Sequence, residues 1–338
     1  MEKNVLHYFV DTNSSRGFVS FWESNFGKLE NAVKLDGYPD LLVTQLVSQA
    51  CGQALGSGQE VELIHNCLDN SLQGIILPGK KAGFLNVPAY ADESYSLRLA
   101  ENENLKNVRG RIQKAYGSFG QALKIHDNWE KLFISSMDFE AMDELAEETI
   151  DKIFGDKQTE GAGSRVDRFF GAATVNGSYD YIPNITQEIP KRYFIKGRPG
   201  TGKSTFLKKL GKVAQDRGYR VEIYHCAFDP NSLDMILVRE LGLCVFDSTA
   251  PHEYFPDRDT DEIIDVYEAA VQPGTDEKYE KEIVGYSAEY KAKIREATEY
   301  LGEAKLAYHQ YQKEVLESVN PDRRIESMDW VMAKLFGR

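Results

Sequence analysis

No stretch of this 338-residue chain is apolar enough, for long enough, to read as a membrane span. The opening MEKNVLHYFV also has no apolar run of signal-peptide length, so the expected compartment is cytoplasmic, with no membrane partner. Cysteine is scarce. The four present, Cys51, Cys67, Cys226 and Cys244, lack the CxxC spacing of a zinc site. Cys226 and Cys244 lie in apolar, strand-like runs and read as small buried residues. No block of Lys and Arg stands out, and 53 acidic against 40 basic residues leave a formal charge of −13. Such a chain repels nucleic acid unless its basic residues gather on one face, which argues against a nucleic-acid partner. What the chain has is 42% hydrophobic residues, with aromatics spread along it, enough for two domains with their own cores.

One run carries chemistry. Gly197-Arg198-Pro199-Gly200-Thr201-Gly202-Lys203-Ser204-Thr205 fits the phosphate-binding pattern GxxxxGK(S/T). Glycines let backbone N–H groups come close to phosphate oxygens, Lys203 neutralises the β- and γ-phosphates, and the Ser204 hydroxyl holds Mg²⁺. RYFIKG before the loop reads as a short apolar strand, and TFLKKLGKVAQDRG after it as an amphipathic helix ending at Gly218. That order sets the positive end of the helix dipole against the phosphates.

The sequence also repeats itself. With Gly37 set under Gly197, an offset of 160, Phe9 falls under Phe169, Gly17 under Gly177, Pro39 under Pro199 and Thr44 under Ser204. VELIH (61–65) meets VEIYH (221–225), and one extra residue then shifts the offset to 161. KIFG at 152–155 and KLFG at 334–337 close the two halves in similar words. The reading is a duplicated α/β unit: two tandem phosphate-loop-like domains, 1–158 and 159–338, each a mostly parallel sheet flanked by helices with an added helical segment. The polar stretch 156–164 is the linker. Opposite GRPGTGKS the first half has GYPDLLVT, with Asp40, Leu42 and Val43 in place of Gly200, Gly202 and Lys203. An acid, a bulky side chain and no cation make that loop unfit for a triphosphate.

Downstream, YRVEIYHC reads as a second strand, Leu233 to Leu241 as a short helix, and GLCVFD as an apolar strand ending in Asp247. An acidic residue there can hold Mg²⁺ through water, or simply cap a turn; the first half has Asn86 in its place. Ser248 follows where many such ATPases carry a glutamate, so the catalytic group is less plain. Asp229, past the second strand, can orient water or take a proton from a hydroxyl. Its twin Asp69 in the degenerate half favours turn capping instead. His225 and His65, also paired by the repeat, read as structural hydrogen-bonding residues. His252 and Glu253 sit in a loop expected beside the γ-phosphate, and Arg239 and Arg258 read as solvated surface. From Asp276 to Val319, and from about Ser94 to Phe154, apolar residues recur at helical spacing, which suggests a long helical pair on each unit.

GRPGTGKST in its strand–helix setting resembles the P-loop NTPases, and PGTGKST is similar to their AAA-like and kinase-like branches. The whole layout, with HC…DPNSLD…FDSTAPH after the loop, resembles a family of tandem-duplicated bacterial P-loop ATPases. The resemblance implies ATP and Mg²⁺ as ligands, and hydrolysis of ATP. It implies nucleotide contacts at Gly197, Arg198, Pro199, Gly200, Thr201, Gly202, Lys203, Ser204 and Thr205, and metal contacts at Ser204 and Asp247. Lys203 and Asp229 are the catalytic candidates. No guanine-reading NKxD and no LSGGQ signature occur, which argues against a GTPase and a transporter ATPase. A kinase acting on a small molecule or nucleotide, and a nucleotide-binding scaffold that recruits a protein partner, are the alternatives.

Overall fold

The computed structural model describes residues 4–91 and 102–337. The expected helical stretch from Ser94 therefore begins outside the described residues. Among the described residues no helix is long and apolar enough to cross a membrane.

The first half of the chain runs β1 (Val5–Tyr8), β2 (Asp11–Ser14), β3 (Gly17–Ser20), α1 (Trp22–Phe26), β4 (Asn31–Asp36), α2 (Asp40–Gly56), β5 (Val61–His65), β6 (Leu72–Leu77) and β7 (Ala82–Val87). Helices α3 (Glu103–Ile134) and α4 (Phe139–Phe154) follow. The second half repeats the plan with β8 (Ser164–Arg168), β9 (Gly171–Thr174), β10 (Gly177–Asp180), α5 (Ile182–Ile185), β11 (Lys191–Lys196), α6 (Lys203–Asp216), β12 (Arg220–His225), β13 (Leu233–Val238) and β14 (Leu243–Asp247). It then adds β15 (Glu262–Asp265), α7 (Val266–Ala270), α8 (Thr275–Lys278), α9 (Glu280–Ser318) and α10 (Pro321–Phe336).

The two larger sheets are β1-β5-β6-β7-β4 and β15-β11-β14-β13-β12-β8. Both are mixed where a mostly parallel arrangement was expected. β5-β6-β7 and β12-β13-β14 are antiparallel meanders, and the outer pairings are parallel. In the second sheet the cause lies in 233–241, where a short helix was expected, and β6 plays the same part in the first. LDMILV is a strand followed by a one-turn 3-10 helix, and a strand with so short a return connection pairs antiparallel. Six residues, five of them apolar, are too few for periodicity to separate the two.

Register carries the same offset as the sequence. Val5 pairs with Val61 as Arg165 pairs with Val221, and Leu35 faces Asn86 as Ile195 faces Asp247. Even the irregularity recurs, between Ile64 and His65 in one sheet and between Tyr224 and His225 in the other. The hairpins β2–β3 and β9–β10 turn on Gly17 and Gly177, both left-handed, with Ser14 and Thr174 hydroxyls donating to those glycines' carbonyls at 2.8 Å.

Packing divides the chain along other lines than the repeat. One compact unit holds 1–117, 170–185 and 296–338; the other holds 118–169 and 186–295. In the first, α2 buries Val43, Leu46, Val47, Ala50 and Ala54 at helical spacing. Val331 and Leu335 of α10, from the far end of the chain, join that core. In the second, α6 buries Phe206, Leu207, Leu210 and Ala214. Here Met142, Ala146, Ile153 and Phe154 of α4 complete the core, although α4 belongs to the first half of the sequence. The terminal helices of the two repeats are thus exchanged between the α/β cores. Residues 155–163 are exposed, and Ser164, placed at the end of the expected linker, already belongs to β8.

Candidate phosphate-loop site

The second unit builds its site from β11 upward. Lys191–Lys196 forms the strand beneath the loop, paired with β14 on one side and β15 on the other. No strand separates the loop strand from the strand that ends in Asp247. The loop leaves β11 at the buried Gly197 and reaches α6 through Gly200 and Gly202, whose φ values are +78° and +80°. Alternating backbone hand of this kind turns successive N–H groups to one side, a shape that suits an anion. Thr201 locks the bend: its hydroxyl donates to the Arg198 carbonyl at 2.9 Å. Gly202 is the N-cap of α6 and has no side chain to cap it. The first N–H groups of the helix are therefore left to water or a ligand.

Lys203 folds back over the loop. Its Nζ donates to the Arg198 carbonyl at 2.8 Å and lies 3.6 Å from Asp247 Oδ2. Asp247 Oδ1 accepts from the Thr249 N–H and hydroxyl at 3.1 and 2.7 Å. Ser204 Oγ accepts from the Leu233 N–H at 2.9 Å. Arg198 turns away, pairing with Asp276 at 2.9 Å and stacking over Tyr267. Thr205 is exposed.

Sequence reading missed Asp234, which the antiparallel β13 brings beside Asp247. Burial, followed by the Asp247 charge, raises its carboxyl to about 6; His252 and Lys203 oppose the rise. The misassigned helix at 233–241 hid this acid, since only a strand pairing with β14 sets it there. Two carboxylates with a hydroxyl at the start of α6 form a hard oxygen donor set, and a divalent cation would relieve the repulsion that raises Asp234. The donor chemistry fits Mg²⁺.

The other candidates separate. Asp229 lies in the turn after β12, where its carboxylate faces the Asn231 N–H at 3.4 Å. Its twin Asp69 accepts from the Ser71 N–H and hydroxyl and pairs with Lys305 at 3.2 Å. His225 bridges the Pro230 carbonyl and Asp167, and His65 contacts the Asn70 carbonyl and His7, so both histidines hold turns. Glu253 lies 3.7 Å from Lys196. Arg239 is exposed, as expected of a surface residue, and reaches down to the buried Glu222, which Arg168 also pairs. Arg258 likewise donates to the Thr186, Gln187 and Ile189 carbonyls. Cys226 and Cys244 are free, and burial pushes both thiols up.

A second feature the sequence did not show is the wall of the loop. In this unit α3 runs against it: a Cβ on Gly200 would stand 2.5 Å from the Glu130 carbonyl oxygen. One turn earlier, His126 is close enough for Lys203 and Asp229 to act on its charge. Phe228, Tyr290 and Trp129 surround its ring, with centroids 6.3, 5.7 and 6.4 Å away.

In the first unit the equivalent positions are satisfied by the protein itself. Val43, opposite Lys203, is 1% exposed in the apolar core. Asn86, opposite Asp247, accepts from the Tyr38 N–H and donates to the Tyr38 carbonyl, each at 3.0 Å. Gln73, opposite Asp234, donates to Asp11 and to the Asn86 carbonyl. Neutral amides stand where the second unit has acids. Asp40, opposite Gly200, is raised to about 7, chiefly by burial and further by Asp69.

That shift has a consequence for stability. Between roughly pH 4 and 7 the folded chain keeps a proton on Asp40 that the unfolded chain has lost. Folding then binds protons, so this group lowers stability as pH rises through that window and changes nothing above it. Asp40→Asn should be more stable than wild type at pH 8, by about 1–3 kcal/mol, and no different near pH 3.5. Urea midpoints at the two pH values measure this.

No protein-family model, curated protein or solved structure matches this chain.

Proposed function

We propose that the chain binds Mg·ATP in the loop 197–205 of the second unit and hydrolyses it slowly. The observation that supports this reading is the combination at one strand end: left-handed Gly200 and Gly202, an uncapped α6, and Lys203 held over the loop between the Arg198 carbonyl and Asp247. A fixed cation beside free backbone donors answers a polyphosphate, where charge stabilisation supplies most of the catalysis. Ser204, Asp247 and Asp234 are the residues that would hold Mg²⁺, which neutralises phosphate charge when bound. The first unit, with Val43, Asn86 and Gln73 in the matching places, contributes no nucleotide site.

Phosphoryl transfer to an organic hydroxyl is the second reading. It is favoured by the aromatic side chains of Phe228, Tyr290 and Trp129 grouped near the loop, a surface suited to a planar or apolar acceptor. A nucleotide panel tests both. Mg·ATP at a hundredfold excess over its dissociation constant should stabilise the fold by about 2.7 kcal/mol. Phosphate release without an added acceptor marks the ATPase, and ADP formed only with an acceptor marks the kinase. Binding with neither product leaves a nucleotide-dependent scaffold, and no thermal shift with any triphosphate rejects the reading.

A further inference from the structure

We propose that His126, on α3 from the first half of the sequence, is the proton acceptor for the nucleophile at the phosphate loop; the inference rests on the ATP reading above. Four observations converge on this side chain. The α3 backbone touches the loop at Gly200, which fixes the helix against it. His126 Nδ1 faces the Glu130 carboxylate at 3.6 Å, one helical turn on, which orients the ring. Its Nε2 has no hydrogen-bond partner among the described residues. The aromatic rings of Phe228, Tyr290 and Trp129 pack about the imidazole, and Lys203 and Asp229 lie within reach of its charge. Burial lowers its pKa, so the ring is neutral at physiological pH and can accept a proton.

The step balances without a further reagent. The oxygen of water, or of an acceptor hydroxyl, bonds to the γ-phosphorus while its proton passes to Nε2. The bond from the γ-phosphorus to the bridging oxygen breaks, and ADP leaves with the electron pair. The imidazolium, favoured by Glu130, Asp127 and Asp229 and opposed by Lys203, then returns the proton to solvent. Asp229 is on this account a positioning residue. Its charge supports the protonated ring, while its carboxylate stays in the turn.

The inference gives the first half of the chain a part in the chemistry that its own degenerate loop does not supply. Two variants test it in the full chain, His126→Ala and His126→Gln, with ATP binding followed by thermal shift and turnover by phosphate or ADP release. Both should bind ATP as wild type does and turn it over about 10²–10⁴-fold more slowly. Added imidazole should restore at least a tenth of the rate in His126→Ala and do nothing for His126→Gln, whose side chain fills the space. Turnover at the wild-type rate in either variant overturns the proposal. So does a loss in His126→Ala that imidazole leaves untouched, which marks a packing role, and so does a wild type that binds ATP and never turns it over. A wild type that binds no triphosphate instead sinks the ATP reading beneath it, and the two failures are told apart by the thermal shift.

Discussion

Lys203→Ala is expected to lose both the thermal shift with Mg·ATP and at least 10²–10³-fold of any turnover, the loss typical of removing one preorganised charge-stabilising donor. The lysine side chain is only 10% exposed and sits between the Arg198 carbonyl and Asp247. Its charge is therefore fixed in place before any ligand arrives. Removing it leaves Asp247 and Asp234 facing each other without their cation, and two acids beside the loop repel a polyphosphate. Lys203→Arg should fail nearly as badly, because a planar guanidinium cannot reproduce a point charge folded under a tight loop. The fold itself should survive, since the core beneath α6 is apolar and does not include this side chain. Calorimetric titration with ATP, beside far-UV circular dichroism of the free variant, separates lost binding from lost structure. A Lys203→Ala protein that binds and turns over ATP like wild type would remove the basis of the functional reading.

Gly200→Ala should destabilise the second unit by about 2–5 kcal/mol. Two terms add here. A left-handed φ of +78° costs an L-residue about 1–2 kcal/mol. The new methyl would also stand 2.5 Å from the Glu130 carbonyl oxygen and 2.9 Å from its carbonyl carbon and Cα. Backbone cannot swing aside as a side chain can, so either the loop or α3 must move, at the 1–3 kcal/mol usual for overpacking. Gly285→Ala is the control. Gly285 lies inside α9 with nothing within 4 Å of the added methyl, and alanine there should stabilise by up to about 1 kcal/mol. Denaturant midpoints of the two variants should move in opposite directions. Equal midpoints would show that α3 does not press on the loop.

Local elements with strong signals were legible in the sequence. RYFIKG is a strand and the segment after Gly202 a helix, because an apolar run and a 3.6-residue apolar stripe declare themselves without help from the rest of the chain. The repeat was legible too, down to the pairing of Asn86 with the position of Asp247. Where the sequence misled, the segment was short. LDMILV satisfies a buried strand and a buried helical turn equally, and only its neighbours β12 and β14 choose the strand. Asp234 went unnoticed with it. β15 was missed for the same reason, four residues between a polar loop and a helix. His126 carried no signal at all, being one polar residue on the partly polar face of a 32-residue helix.

The chain by itself determined a charged, cysteine-poor α/β protein built twice over, with one GxxxxGK(S/T) loop and a counterpart that has Asp40, Leu42 and Val43 in place of its two glycines and lysine. Those properties reside in residue identity and short-range spacing, which act wherever the segment ends up. Tertiary structure decided that α4 completes the second core and α10 the first, that Asp234 stands beside Asp247, and that α3 brings His126 to the loop. Each of these depends on which apolar faces, often a hundred or more residues apart, fill each other's volume. Burial is non-directional, so a helix stripe states how much surface must be covered and leaves the covering partner to the fold.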